Sequence, residues 1–353
     1  MRRHVLHVTA STDRRGAETF AADLDTALTA RGRASDLVAL APGAQGGTSA
    51  RPLGRRRFDP AGLWRLRRLC ASSATVVGHG SSTLPACALA TAGTSAAFVY
   101  RNIGDPEFWA GTPARRARVR WLLSRADLVA ALWQGSADAL IRSFGVPASK
   151  LVVIPNGRPA AEFPLVDHDR RSMARERLGL AGPVVVYLGA LGPEKRVDVI
   201  IRAVGRLVDA TLVVAGDGPL RSRLEQLAVE ELGGNARFLG AVASAAPVLA
   251  AADVVVLASQ TEGLPAVLIE AGLSGLPVVS TDVGGVSTIV EDGVTGSLVP
   301  PGNPAALAGA LGSVLAAPAD MGQKAHVRCM ERFEMQAVSD RWDDLLQTVI
   351  RPR

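Results

Sequence analysis

The sequence predicts an α/β protein of two doubly wound parallel-sheet domains, on three observations. Short β-rich runs alternate with helical patterns from the first residues onward. The same rhythm restarts after a polar, proline-bearing segment. The 353 residues, 48% of them hydrophobic, are enough for two domains of ordinary size, each with its own core.

The first run, HVLHVTA, precedes a helical pattern over residues 16–31 in which Phe20, Leu24, Ala27 and Leu28 share one face. SDLVAL, a basic helix over residues 63–70, TVVGHG, a helix near Leu84 and SAAFVYR continue the alternation, and ADLVAALW and KLVVIPNG add two strands. Residues 158–177 are a polar, proline-bearing segment, with the joint expected near residues 159–164. PVVVYLGAL, ATLVVAGDG, ARFLGAV, ADVVVLAS, LPVVSTDVGG and GSLVPPG then repeat the pattern. The expected domains are residues 1–162 and 163–335, with a helix in 336–353 packing back on the first. Ligands of such sheets lie outside the carboxyl ends of the strands, so two facing domains predict an interdomain cleft.

The formal charge of +6 is unevenly placed. Residues 1–165 carry 22 Arg or Lys against 11 Asp or Glu, net +11, whereas residues 166–353 carry 17 against 22, net −5. The excess lies in RPLGRRRF, LWRLRRLC and ARRARVRW, and only Lys150, Lys195 and Lys324 are lysine. A basic half of this kind predicts peripheral contact with an anionic membrane, with Trp109 and Trp121 as interfacial anchors. The alternative is a solvated arginine-rich surface produced by coding bias. Nucleic acid is not expected, because the basic runs lack the interleaved aromatic residues of a stacking platform. Cys70, Cys87 and Cys329 sit apart in apolar settings and read as reduced core thiols. With a short alternating first strand in place of a signal peptide, they predict a cytoplasmic protein, peripheral at the inner membrane surface if it meets a membrane. The uncharged stretch of residues 78–100 is broken by Gly, Ser, Thr and Pro85 and is not expected to span a bilayer.

Pattern also bears on several chemistries. Lys195 in GALGPEK is followed by Arg196, where a Walker loop needs Ser or Thr; HExxH, CxxC and GxSxG do not occur. The triplets Asp23-Leu24-Asp25 and Asp167-His168-Asp169 have the spacing of a metal-held sugar diphosphate site. The first falls on an amphipathic helix and the second in the linker, so no metal is expected.

TEGLPAVLIEAGLSG, residues 261–275, sets Glu262 and Glu270 eight positions apart in an apolar run, and a buried carboxylate needs a partner. Pro265 suits the first turn of a helix, so Gly263 and Leu264 are expected at a helix N-terminus, whose free N–H groups attract phosphate. Glu270, in the second turn, would accept the paired donors of a ribose diol, or else pair with a core arginine. Glu262 would take sugar hydroxyls or face the charge developing at a sugar carbon. Lys195 sits after the strand VVVYLG, within reach of a diphosphate or else solvated on the surface. Gly216-Asp217-Gly218 follow another strand, as a ligand loop or a simple turn. Gly16, between the first strand and first helix, would let backbone approach a phosphate.

Together these segments resemble the retaining glycosyltransferases of family 4, whose GT-B fold has two Rossmann-like doubly wound domains with an interdomain cleft. The resemblance covers nearly the whole chain. Its most specific part is the E-x7-E element, Glu262 and Glu270, in EGLPAVLIEAGLSGLPVVSTDVGG, continued by EDGVTGSLVPPGNPAALA. LGALGPEKRVD, VVAGDGPLR, RFLGAV, ADLVAALWQGSADALI and VVIPNG also match. The resemblance implies a hexosyltransferase that takes its sugar from a nucleotide-diphosphate sugar held mainly by the C-terminal domain. The acceptor, a glycan, a lipid-linked species or a small molecule, is held mainly by the N-terminal domain. Transfer retains the anomeric configuration, with no metal or other cofactor. Carried over by position, Glu270 takes the ribose, Lys195 the diphosphate, and Glu262 the donor sugar and reacting centre. Gly263, Leu264 and Pro265 open the phosphate-facing helix, Gly16 lets the first loop close over the phosphates, and Val242 and Gly216-Asp217-Gly218 flank the base.

Three positions depart from the family pattern. Ala190 stands where arginine is frequent, which leaves that arm of the diphosphate clamp to Arg196. Arg15 replaces a glycine of the first loop and is itself a candidate phosphate contact. Arg101-Asn102 follow AAFVY where a histidine is common; with His79 and Arg15 they are the candidate acceptor-side residues. Two rival activities fit the same residues: a sugar-nucleotide epimerase of this fold, and a catalytically silent nucleotide-sugar-binding subunit.

Overall fold

The structure, a computed structural model, describes residues 4–44, 47–105, 107, 111–316 and 320–349. It divides into two units: Met1–Arg158 with Met335–Arg353, and Pro159–Glu334. The first unit holds seven parallel strands, β1 (Val5–Thr9), β2 (Ser35–Ala39), β3 (Arg51–Pro52), β4 (Thr75–His79), β5 (Ala97–Asn102), β6 (Leu128–Ala131) and β7 (Leu151–Val153), in the order β3-β2-β1-β4-β5-β6-β7. Parallel strands joined by helical crossovers are buried on both faces, and β1, β4 and β5 are buried at every position.

Its helices are α1 (Gly16–Ala30), α2 (Pro60–Ser72), α3 (Leu84–Ala90), α4 (Pro113–Ser124) and α5 (Gln134–Phe144). Phe20, Leu24 and Leu28 of α1 pack on one face of the sheet together with Val338, Trp342 and Leu346 of the C-terminal helix. Leu66 and Cys70 of α2, Leu84 and Cys87 of α3, Leu122 of α4 and Leu140 of α5 build the core on the other face. The three cysteines are free and buried. Burial pushes the thiols of Cys70 and Cys329 up to about 12.

The second unit holds six parallel strands, β8 (Val184–Leu188), β9 (Thr211–Ala215), β10 (Ala236–Gly240), β11 (Val254–Leu257), β12 (Val278–Thr281) and β13 (Gly296–Val299), in the order β10-β9-β8-β11-β12-β13. Its helices are α6 (His168–Leu178), α7 (Val197–Val204), α8 (Arg221–Leu232), α9 (Ala246–Leu249), α10 (Ala266–Leu273), α11 (Val286–Ile289), α12 (Pro304–Leu315) and α13 (Asp320–Phe333). The last helix among the described residues, α14 (Met335–Thr348), belongs to the first unit.

Local chemistry corrects the sequence reading in two places. Residues 158–177, read as a polar linker segment with its joint near residues 159–164, include most of α6: Asp167 caps it by accepting from the Arg170 N–H at 2.8 Å, and Gly179 closes it in the left-handed region at φ 60°. No residue of α6 is buried, so it has no apolar period to reveal it. The second DxD triplet is thus a helix start. In the first triplet, Asp23 pairs with Arg158 and Asp25 accepts from the Ser35 hydroxyl. The basic run around Arg51 likewise conceals an edge strand, β3, paired with β2 through Val38 and Ala39.

Trp109 lies outside the described residues, whereas Trp121 is exposed on α4. Among the described residues no single helix is long and apolar enough to cross a membrane.

Candidate active site

In the second unit β9, β8, β11 and β12 are consecutive neighbours, so the loops that leave them follow one another along the carboxyl edge of the sheet. Lys195 stands on the loop after β8 and Glu262 on the loop after β11. The Glu262 carboxylate is 9% exposed, and its Oε1 accepts two hydrogen bonds of 2.7 Å, one from Lys195 Nζ and one from Ser259 Oγ. Ser259 is fixed in turn, since the Thr281 hydroxyl donates to its carbonyl at 2.7 Å. The next N–H, of Gln260, donates to the Glu194 carbonyl at 2.8 Å, which ties the two loops together. A carboxylate that an apolar run cannot keep by itself is therefore paired by a lysine 67 positions away. Both bonds fall on one oxygen, which orients the group and turns Oε2 toward other use.

Backbone contact explains the glycines of these loops. Gly284, after β12, has φ 60°, and a Cβ there would lie 1.9 Å from the Glu262 carbonyl oxygen. The neighbouring Gly285 N–H donates to the Gly263 carbonyl at 2.8 Å. Gly216, at φ 145°, would place a Cβ 1.8 Å from the Gly189 carbonyl. Gly216-Asp217-Gly218 is thus packed on the loop that leads to Lys195, and the Asp217 carbonyl accepts from the Leu191 N–H at 3.0 Å.

The other expected donor-side residues are placed as follows. Gly263 is half-buried and Leu264 buried. Pro265 is the N-cap of α10, with extended ψ of 117°, and the helix starts at Ala266 rather than at Leu264. The proline therefore precedes the first turn instead of occupying it. Glu270 is the fifth residue of α10 and is half-buried. Val242, after β10, is exposed. Arg196 adopts φ 49°, and its Nε and Nη2 donate to the two oxygens of Asp198 at 3.0 Å each. That fork engages the guanidinium expected to replace the missing arm of the clamp. At Ala190 itself the carbonyl accepts from the buried Tyr187 hydroxyl at 2.8 Å.

In the first unit, His79 at the end of β4 and Arg101 on β5 are directly paired in the sheet. Both are buried, and a polar chain links them: Arg101 Nη1 lies 3.5 Å from His79 Nδ1, and His79 Nε2 lies 3.0 Å from His7 Nδ1. Arg101 also donates to the Asn156 amide oxygen, and its guanidinium lies 3.7 Å from the centre of the Phe20 ring. Arginine only donates, so His79 accepts at Nδ1 and passes its Nε2–H to His7. Burial first, then the Arg101 charge, pushes His7 down to about 3. Burial, then the charge of His7, holds His79 well below its ordinary value. Arg101 is lowered to about 9 by burial, partly offset by the charge of Glu18. The Asn102 amide donates to Ser136 Oγ at 2.9 Å and to the Gly104 carbonyl at 2.8 Å. His79, Arg101 and Asn102 thus support the carboxyl edge from beneath, whereas Arg15 and Gly16 are exposed upon it, with open space around Gly16.

Sequence reasoning passed over Ser259, Thr281 and Gly284. The S-x-x-E spacing and the double glycine of TDVGG were the available signals, but neither names a partner.

Comparison with known proteins identifies the family and the fold. A family description, "Glycosyltransferase Family 4", matches residues 14–162, and a second, "Glycosyl transferases group 1", matches residues 182–317. The D-inositol 3-phosphate glycosyltransferase of Nocardia farcinica is 34% identical over 218 residues, 57% of this chain and 48% of that protein. The GDP-mannose-dependent α-(1-6)-phosphatidylinositol monomannoside mannosyltransferase of Mycolicibacterium smegmatis is 32% identical over 257 residues, 67% of this chain and 66% of that protein. The chain thus spans about half to two thirds of the length of these curated relatives. Among solved structures, Anabaena HepE in complex with UDP and glucose is 25% identical with a TM-score of 0.86, covering 98% of this chain and 100% of that one. Sucrose-phosphate synthase of Thermosynechococcus elongatus shares the fold, with 21% identity and a TM-score of 0.83 over 98% of each chain. Two adjoining family matches, lying on a pair of parallel sheets of this topology, place the chain in glycosyltransferase family 4, with the GT-B fold.

Proposed function

We propose that this protein transfers a hexose from a nucleotide-diphosphate sugar to an acceptor hydroxyl, with retention of configuration and without a metal ion. The observation that carries the reading is Glu262 held by Lys195 and Ser259 at the carboxyl edge of the second sheet, within the E-x7-E element. In this reading the diphosphate lies at the start of α10, where Gly263, Leu264 and Pro265 lead into free N–H groups, and Lys195 meets its charge. Glu270 takes the ribose hydroxyls, Val242 and the turn at Gly216-Asp217-Gly218 flank the base, and Glu262 Oε2 takes a hydroxyl of the donor sugar. The acceptor oxygen bonds to the anomeric carbon on the face from which the diphosphate oxygen departs, and that oxygen receives the acceptor proton. Lys195 and the helix start stabilise the charge left on the diphosphate.

HepE was crystallised with UDP and glucose, and the mycobacterial relative is GDP-mannose-dependent. Uridine and guanosine sugars are accordingly the first donors to try. Thermal shift with a panel of both, followed by acceptor-dependent release of nucleoside diphosphate, tests the proposal. One donor should stabilise the protein, release should require an acceptor, EDTA should leave the rate unchanged, and the product should keep the donor's anomeric configuration. Sugar conversion without acceptor would instead identify an epimerase, and stabilisation without any release a silent subunit.

The predicted membrane contact rests on α2 and α4. Trp64 and Trp121 are exposed, Arg68 and Arg125 lie 4.9 and 4.8 Å from their ring centres, and neither helix carries an acid. Co-sedimentation with vesicles that does not depend on anionic lipid would remove this contact. Buried free thiols support a reducing, cytoplasmic setting.

A further inference from the structure

In the second unit α13 buries Gly322, Ala325, Cys329 and Phe333, which recur at the helical period along one face. Two glycines let that face close on α10. A Cβ on Gly272 of α10 would lie 2.3 Å from Cys329 Sγ, and one on Gly322 would lie 2.2 Å from the Gly275 carbonyl oxygen just after α10. Beside this contact α13 carries two half-buried polar side chains, His326 and Arg328.

Both reach the carbonyl end of another helix. The carbonyls of Glu270, Ala271 and Gly272 in α10 accept from the backbone N–H groups of Ser274, Leu276 and Gly275 at 3.0, 2.9 and 2.9 Å. The carbonyl of Leu273, the last residue of α10, accepts from His326 Nδ1 at 2.7 Å, so the ring carries a proton there. Arg328 serves α11 in the same way. Its Nε and Nη2 donate to the Ile289 and Thr288 carbonyls at 2.9 and 3.3 Å, and its Nη1 donates to Glu291 Oε2 at 3.1 Å. A cation at the carbonyl end of a helix is also favoured by the helix dipole.

These two helices depend on such a hold. α10 has eight residues and α11 four, and neither start has a side-chain cap. Helices so short are not stable by themselves in water, so their placement comes from what grips them. Their other ends border Glu262. The segment from Glu262 to Pro265 leads into α10, which bears Glu270, while α11 is entered through Gly284, packed on the Glu262 carbonyl, and Gly285, whose N–H donates to the Gly263 carbonyl at 2.8 Å. With α10 about 12 Å long, a tilt at its C-terminal end displaces its start.

We propose that His326 and Arg328 are positioning residues of the donor site, acting through α10 and α11 and touching no part of the donor. By fixing the carbonyl ends of the two helices they set Glu270 and the segment from Glu262 to Pro265 where the ribose and the diphosphate need them. This rests on the glycosyltransferase reading and adds two residues outside the E-x7-E element to it.

The test is calorimetric titration of nucleoside diphosphates, UDP and GDP first and then ADP, CDP and dTDP, into the full chain. The one that binds the wild type should bind H326A and R328A about tenfold more weakly each, the worth of one buried hydrogen bond. H326N, whose amide nitrogen stands close to the place of Nδ1, should recover most of the affinity, and R328K, which keeps the charge without the fork, part of it. E291Q, which breaks the ion pair and leaves both carbonyl bonds of Arg328, should bind as the wild type does. L311A, in the core under α12, separates positioning from stability: it should lower the melting temperature at least as far as H326A or R328A and leave nucleotide affinity unchanged. Should an alanine variant fail to fold, R328K must by itself bind more weakly than the wild type. Wild-type affinity in H326A or R328A, or an equal loss in L311A, overturns the proposal while leaving the donor reading intact. If no nucleoside diphosphate binds the wild type, the glycosyltransferase reading falls, and the positioning roles with it.

Discussion

Lys195 and Glu262 meet at 2.7 Å, and the Ser259 hydroxyl shares the same carboxylate oxygen. In the proposed mechanism Lys195 acts as a cation facing the leaving diphosphate, a position at which losing one donor costs about 10²- to 10³-fold in rate. Lys195→Ala should fold, because its side chain is partly exposed and Glu262 keeps Ser259, while kcat falls on that scale; unchanged turnover would remove Lys195 from the mechanism. Ser259→Ala should lower kcat about tenfold with little change in donor KM, since it disorients Glu262 without touching the donor. Two glycines make a contrasting pair. Gly216→Ala forces a Cβ against the Gly189 carbonyl at a φ that L-residues avoid, so both melting temperature and activity should drop. Gly16→Ala meets nothing within 4 Å, so stability should hold. A rise in donor KM alone would show that a phosphate comes close there; an unchanged KM would take Gly16 out of the donor site. The sequence made Glu262, Glu270 and Lys195 legible because each follows a strand pattern at a fixed offset. Ser259 and Thr281 were not legible, because their role exists only once β11 and β12 lie side by side.

At the scale of elements, strands were easier to read than the helices that lack an apolar face. The strands β8 and β11 are buried at every position and appear in the sequence as the unbroken apolar runs VVVYL and VVVL. Helix α6 has no buried residue and is announced only by its caps, Asp167 and Gly179. Helix α14 has a clear apolar stripe, but a stripe does not say which core it will cover. In the structure Trp342 is fully buried, its ring centre 6.5 Å from that of Phe20 on α1, and the Arg158 carbonyl accepts from the Met335 N–H at 3.0 Å. The first unit thus needs both ends of the chain. Trp342→Ala should destabilise it by about 3–5 kcal/mol, read as an early unfolding transition in calorimetry, whereas Trp342→Phe should retain most of the stability. An unaltered transition in Trp342→Ala would mean that α14 adds little to that core.

At the scale of the molecule, the buried histidines make stability depend on pH. His7 is held at about 3 against an ordinary 6.5, and His79 is lowered in the same direction. Between those values the unfolded chain binds more protons than the folded one, so this contribution is complete above pH 6.5 and is lost as pH falls toward 3. Glu18 has the opposite sign: burial raises its carboxyl above 4.5, so its contribution is greatest at low pH and declines as pH rises through its folded value. The melting temperature should fall steadily below pH 6.5, His7→Leu should flatten that fall, and Glu18→Gln should raise the melting temperature at pH 7. A profile identical in wild type and His7→Leu would remove the histidine from the acid response.

The fold class, the two sheets and the choice of candidate donor-side residues were determined by the sequence itself, because alternation of strand and helix and the spacing of a motif are properties of neighbours along the chain. Tertiary structure alone decided that Glu262 is paired by Lys195, that Arg196 is tied to Asp198, and that His79 and Arg101 turn inward with His7. Burial, ion pairing and charge density depend on which segments the fold brings together, and no local period of the sequence records that.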